Sequence, residues 1–136
     1  MTRRACKTLA QGEGTATLSA VDFFVFGQAV AKQSYRAVKG GGYTDPRVKA
    51  WQATVRDYAA LAMRQYEPIT CPVRVRLEFY LKDRRRVDCD NLSKGLQDGL
   101  NGIVWQDDSQ VCELLIIKRI DRDNPRVGVS VQAVTE

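Results

Sequence analysis

The chain has 136 residues, 44% hydrophobic and 27% charged, with 21 Lys and Arg against 16 Asp and Glu for a net charge of +5. That length suits one domain with a real core, and the basic excess suits a polyanionic partner or a solvated basic surface. There is no histidine, which excludes Ser-His-Asp and Cys-His catalysis and His-ligated zinc, so any chemistry falls to carboxylates, lysine, tyrosine or a metal-activated water.

Residues 1–20, rich in Thr, Ala, Gly and Ser, read as a flexible leader that orders only in part, ahead of a domain at 21–136. The leader is basic but has no apolar core, so it is not a secretory signal. No apolar run reaches the length of a membrane span. Cys6, Cys71, Cys89 and Cys112 form no CxxC pair and read as reduced thiols of a cytosolic protein.

Val21 to Phe26 is a β-branched and aromatic run that predicts a strand. A basic loop follows, with Lys32, Arg36 and Lys39 ahead of Arg47 and Lys49, the tyrosines Tyr35 and Tyr43 among them, and a tip at Gly40-Gly41-Gly42. Basic side chains interleaved with aromatics suit a nucleic-acid backbone and unstacked bases, and they equally suit a solvated hairpin tip. Asp45-Pro46 opens a helix, with Asp45 or Thr44 as its cap. Its apolar stripe runs Val48, Trp51, Val55, Tyr58, Ala62, Tyr66, and Pro68 ends the region. Val73 to Leu81 alternates apolar with charged residues as a half-buried strand.

The basic turn Lys82 to Arg86 leads into a helix over 91–101, with Leu92, Leu96 and Leu100 on one face. Asp90 or Asn91 is its expected cap. Gly95 and Gly99 lower helix propensity, which points to close approach of another backbone, and Gly102 suits the left-handed stop. Asp107 to Gln110 is a polar turn. Strands are predicted at Val111–Ile120 and Val127–Val134, joined through Asn124-Pro125 as an antiparallel hairpin. The order gives an α+β fold: a mixed sheet of about four strands packed with two main helices.

The chemistry concentrates in Asp83-Arg84-Arg85-Arg86-Val87-Asp88-Cys89-Asp90-Asn91-Leu92-Ser93-Lys94. Asp88 and Asp90 project to one side if the backbone is extended, with Cys89 turned away. Lys94 stands one helical turn beyond Asp90. If the later strand returns beside Val73–Leu81, Asp107 and Asp108 face Asp88 and Asp90. Such an oxygen-only set favours Mg²⁺ or Mn²⁺, and Arg84, Arg85 and Arg86 suit flanking phosphates. Each piece also has an ordinary reading: a helix cap, a polar turn, a solvated basic face.

The combination resembles the signature of RusA-type Holliday-junction resolvases. The resemblance runs from the 83–94 segment through Leu96, Asp98, Leu100 and Val104-Trp105-Gln106-Asp107-Asp108-Ser109-Gln110-Val111. With the front strand, the Gly27–Lys32 turn and Tyr43-Thr44, it spans about 21–134. It implies a RusA-like fold and an Mg²⁺-dependent endonuclease, with Mn²⁺ as a substitute. The implied enzyme is a homodimer that resolves four-way DNA junctions by paired symmetric nicks in recombination and repair. By position, Asp88, Asp90 and Asp108 become the metal-binding catalytic carboxylates and Lys94 the catalytic lysine, with Asp107 a possible further ligand. Lys32, Arg36, Lys39, Arg84, Arg85 and Arg86 become DNA contacts. Such proteins are often carried by prophages or phages, which implies a bacterial cytosol. The front loop departs from the common family pattern. The alternatives are a non-enzymatic DNA-structure-binding protein and a nuclease of other branched DNA.

Overall fold

Strict alternation drives Val73–Leu81 into an extended strand whose odd residues, Val73 through Leu81, are all buried. In a computed structural model of the chain the described residues are 2–5, 18–32, 37–38, 41–42, 45–84 and 86–134. Of 2–5, 37–38 and 41–42, only the backbone is described. Strands are β1 (Thr2–Ala5), β2 (Leu18–Phe26), β3 (Ala37–Val38), β4 (Gly41–Gly42), β5 (Val73–Leu81), β6 (Val111–Ile120) and β7 (Arg126–Ala133). The helices are α1 (Pro46–Ala62) and α2 (Cys89–Leu100). Arg36, Lys39, Tyr35, Tyr43 and Arg85 lie outside the described residues.

The main sheet has the order β1-β2-β7-β5-β6, and β5 and β6 are its parallel pair. The four strands expected from sequence form a mixed sheet with two helices, and Thr2–Ala5, inside the segment read as a leader, adds a short edge strand beside β2. β2 begins at Leu18, ahead of the expected Val21. One sheet face carries Val21, Phe23 and Val25, the β5 apolar row, and Val127, Val129 and Val131, all buried in one cluster with α1 and α2.

α1 starts as expected: Asp45 caps it by accepting from the Arg47 N–H at 2.8 Å, with Pro46 behind it. Its buried stripe is Val48, Trp51, Val55, Ala59 and Ala62. It stops before Tyr66, because Gln65 turns left-handed at φ 73°. α2 begins earlier than expected, at Cys89, so its N-cap is Asp88 and neither Asp90 nor Asn91. The Gly95 and Gly99 face is pressed against other backbone, as the sequence implied. A Cβ on Gly95 would lie 2.9 Å from the Val30 carbonyl oxygen, and one on Gly99 3.2 Å from that of Gln52. Gly102 takes the left-handed φ of 84° that ends the helix region.

The expected hairpin between the last two strands does not form. β5 lies between them, parallel to β6 and antiparallel to β7. The crossover through α2 sets β6 beside β5, as the parallel β-α-β unit requires. The buried Val127, Val129 and Val131 then need neighbours on both sides, and β7 finds them in β2 and β5. The 121–125 loop spans the end of β5: the Asp121 N–H donates to Leu81 O at 2.8 Å and Pro125 O accepts from the Gly27 N–H at 3.0 Å. β6 is thereby left as an edge, with Leu114, Leu115 and Ile120 exposed.

Candidate active site

The early helix start changes what the acidic pair can do. Asp88 is still extended (ψ 136°) while Asp90 is already helical, so the two do not project as neighbours on one strand. Asp88 holds the N-cap position, yet its carboxylate makes no capping hydrogen bond. A carboxylate at a helix N-terminus that is not used as a cap is available for other chemistry.

Asp88 lines a cleft of about 450 Å³. One wall is Gln28 to Ala31, with small side chains at Ala29 and Ala31. Arg86, Val87 and Asn91 form the Asp88 side, and Arg47 stands at the start of α1. Asp90 is not part of this lining. It is exposed, and its Oδ2 lies 3.3 Å from Lys94 Nζ, one helical turn along, so the two form an ion pair. Lys118 Nζ donates to Val87 O at 2.7 Å, fixing the approach to Asp88 from the end of β6. Cys89, between the two acids, is half-buried.

The basic triplet splits. Arg86 enters the Asp88 cleft, whereas Arg84 lines a separate concavity with Lys118 and Arg119 at the end of β6. Lys32 points its ammonium at Asp98, 2.5 Å away.

Asp107 and Asp108 sit elsewhere. Asp107 caps a short 3₁₀ turn: its carboxylate accepts from the Ser109 N–H at 3.0 Å and from the Ser109 hydroxyl, and its own N–H donates to Gln110 Oε1 at 2.8 Å. The Ser109 hydroxyl, helped by its N–H, holds the Asp107 carboxyl below the usual aspartate range. Asp108 Oδ1 accepts from Trp105 Nε1 at 2.9 Å. Trp105 is fully buried, so its indole N–H needs an acceptor and aims Asp108 from below. Gln110 Nε2 reaches Ile69 O at 2.7 Å and Cys71 O at 2.9 Å, which ties this turn to the chain just before β5.

The expected meeting of Asp107 and Asp108 with Asp88 and Asp90 does not occur within one chain. Asp88 follows the end of β5, while Asp108 precedes β6, whose start pairs with the start of β5. The twelve residues of α2 between them span about 18 Å at 1.5 Å per residue. Among the described residues no three Asp, Glu or Cys side chains are grouped closely enough to hold one ion.

Several residues of this region escape sequence reasoning. Trp105 carries a signal in retrospect, a tryptophan three residues before an acid. Arg47 was one of five basic residues along the front of the chain, with nothing to link it to Asp88. Gln28 and Asn91 carry no signal of their own. Among the described residues no helix is long and apolar enough to cross a membrane.

The family model for endodeoxyribonuclease RusA matches residues 27–132. The chain is 28% identical over 142 residues to the uncharacterized protein YqaN of Bacillus subtilis (strain 168), covering 87% of this chain and 99% of that protein. It is 33% identical over 85 residues to the crossover junction endodeoxyribonuclease RusA of Escherichia coli (strain K12), 62% of this chain and 70% of that one. A crossover junction endodeoxyribonuclease of Enterobacteria phage 82 matches at 41% over 51 residues, 37% of this chain and 42% of its own length. The likeness read from the 83–111 motif thus extends across most of the domain, and the chain belongs to the endodeoxyribonuclease RusA family.

Proposed function

We propose that the chain is a metal-dependent endonuclease that resolves four-way DNA junctions by paired nicks during recombination and repair, acting as a homodimer in a bacterial cytosol. A phage relative favours a phage or prophage origin. The observation that carries the reading is Asp88: a carboxylate at a helix N-terminus that makes no capping hydrogen bond, in a cleft with Arg86 and Arg47, two residues before Asp90 of the Asp90–Lys94 pair.

The donors are oxygen only, which suits Mg²⁺, with Mn²⁺ as substitute. One chain does not fit such an ion by itself, because Asp108 stands at the far end of α2. Two copies joined along the β6 edges would fit it. An antiparallel two-fold pairing centred on Ile116 sets Glu113 opposite Arg119 twice and covers Leu114 and Leu115. It also carries Asp108 of the second copy toward the sheet end that holds Asp88 and Asp90. When bound, the ion polarises the scissile phosphate and lowers the pKa of its water. Lys94 offsets charge developing on the phosphate, and Arg84, Arg85 and Arg86, with Arg36 and Lys39, hold flanking backbone. Asp107 serves as a cap and holds the Asp108 turn in place.

The test is cleavage of a synthetic four-way junction. Cutting is expected with Mg²⁺ and absent with EDTA, and Asp90→Asn should bind junctions without cutting them. Intact strands with Mg²⁺ and Mn²⁺ alike would leave only a DNA-structure-binding protein. Equal or faster cutting of flaps and forks would reassign the substrate. Mixing Asp90→Asn with Asp108→Asn tests the shared site: a shared site regains one nick per junction in mixed dimers, and a site within one chain regains none.

A further inference from the structure

The Gln28–Ala31 wall of the cleft has no regular secondary structure, yet it must face Asp88 at a fixed spacing for a DNA strand to lie between them. Three contacts hold it. The Lys32 N–H donates to Asn91 O at 3.0 Å. The Val30 carbonyl sits so close to α2 that a Cβ on Gly95 would be 2.9 Å from its oxygen. Gln28 Oε1 accepts from the Lys82 N–H at 3.0 Å.

A fourth contact closes the segment. Lys32 Nζ lies 2.5 Å from Asp98 Oδ2, and that same oxygen accepts from Gln52 Nε2 of α1 at 3.3 Å. Arg56 Nη2 reaches the Asp98 carbonyl at 3.3 Å. One carboxylate therefore joins the wall, α1 and α2. The ammonium of Lys32, expected from sequence to meet DNA, pairs with this acid.

We infer that Lys32 and Asp98 are positioning residues: their ion pair latches the Gln28–Ala31 wall onto α2 and sets the width of the cleft beside Asp88. This rests on the nuclease reading for its catalytic consequence but not for its geometry. The pair is half-exposed, so it adds little to global stability. Its effect is on placement, and a displacement of about 1 Å near reacting groups lowers rates about 100-fold.

The variants are Lys32→Met, Asp98→Asn and the conservative Lys32→Arg. Single-turnover cutting at saturating junction should fall at least about tenfold in the first two and stay near wild type in Lys32→Arg. Junction affinity and its salt dependence should hold in all three. The latch is overturned if Lys32→Met cuts at the wild-type rate. It is also overturned if that variant loses about 0.9 from the salt slope, which would make Lys32 a phosphate contact. Amide exchange reads the latch with no substrate. The Lys32 N–H should lose at least about tenfold protection in Asp98→Asn while buried α2 amides keep theirs, and unchanged protection refutes the latch. If the unaltered protein cuts no junction but exchange responds, the nuclease reading fails and the latch stands.

Discussion

Gly99→Ala turns the packing of the two helices into a question of sign. At an uncrowded helical position the change stabilises, since alanine is favoured over glycine by about 1 kcal/mol. At Gly99 the added Cβ would lie 2.7 Å from Val55 Cγ1 and 2.8 Å from Val55 Cβ. Ordinary carbon contacts are about 3.5–4.0 Å, so about 1 Å of overlap must be relieved. Val55 is fully buried and, being β-branched in a helix, has essentially one rotamer. The Gln52 carbonyl at 3.2 Å blocks the other side. The helices must separate, and overpacking of this kind costs about 1–3 kcal/mol. After the propensity gain, a net loss of up to about 2 kcal/mol is expected, at about 4 °C of Tm per kcal/mol at this size. Urea unfolding at neutral pH should show a lower midpoint with unchanged slope. Adding Val55→Ala removes the Cγ1 contact at 2.7 Å and leaves the Cβ at 2.8 Å, so the relief is partial and the two substitutions should couple favourably by about 0.5 kcal/mol or more. A raised midpoint for Gly99→Ala, or simple additivity, would refute the packing argument. Because α2 carries Asp90 and Lys94 and has Asp88 at its N-cap position, cutting at 25 °C should also fall by more than the loss of folded protein accounts for.

Other outcomes follow from single contacts. Lys94→Ala should slow cutting at saturating junction with little change in affinity, and equal losses in both would make Lys94 a binding residue. Arg84→Ala and Arg86→Ala should each reduce the slope of log affinity against log salt by about 0.9, and an unchanged slope would remove that arginine from the DNA contacts. Glu78 is held below the usual glutamate range first by the Arg119 hydrogen bond, and then by Tyr80 and Arg76. A depressed carboxyl contributes stability that is present above its unfolded pKa and lost as pH falls through the folded value. Urea midpoints should therefore be level above about pH 5 and fall below about pH 4. Glu78→Gln should lower the midpoint at pH 7 and flatten that acid limb, and an acid limb as steep as the wild type would remove Glu78 from it.

Where a segment's own residues carry its pattern, its structure was legible. Val73–Leu81 shows its buried face by alternation alone, and the Leu92, Leu96, Leu100 row shows that of α2. Pro46 behind Asp45 marked the α1 start, and Gly102 the α2 stop. The failures share a different cause. Asn124-Pro125 is a sound turn signal, but a turn does not reveal whether its strands are neighbours. That was decided by β5, about forty residues earlier, which occupied the place between them. The cap of α2 was misread because Asp88, Asp90 and Asn91 are all good caps, and what starts the helix at Cys89 is the docking of Leu92 and Leu96 into the core.

The sequence named candidate residues but not how they stand to one another, and the parallel crossover explains why. In a β-α-β unit the helix returns the chain to the starting end of the sheet, so residues just before the helix and residues just before the second strand stand at opposite ends. Asp88 and Asp108 occupy those two places. No adjustment of loop conformation brings them together while β5 and β6 stay in register over Arg74–Leu81 and Glu113–Ile120. The antiparallel two-fold proposed above would do what the chain alone does not, because it would lay the start of one β6 beside the end of the other. That proposal would account together for the exposed apolar residues of β6, which burial inside a single chain leaves unexplained, and for the separation of the carboxylates. Both involve β6, which among the described residues is an edge strand parallel to β5.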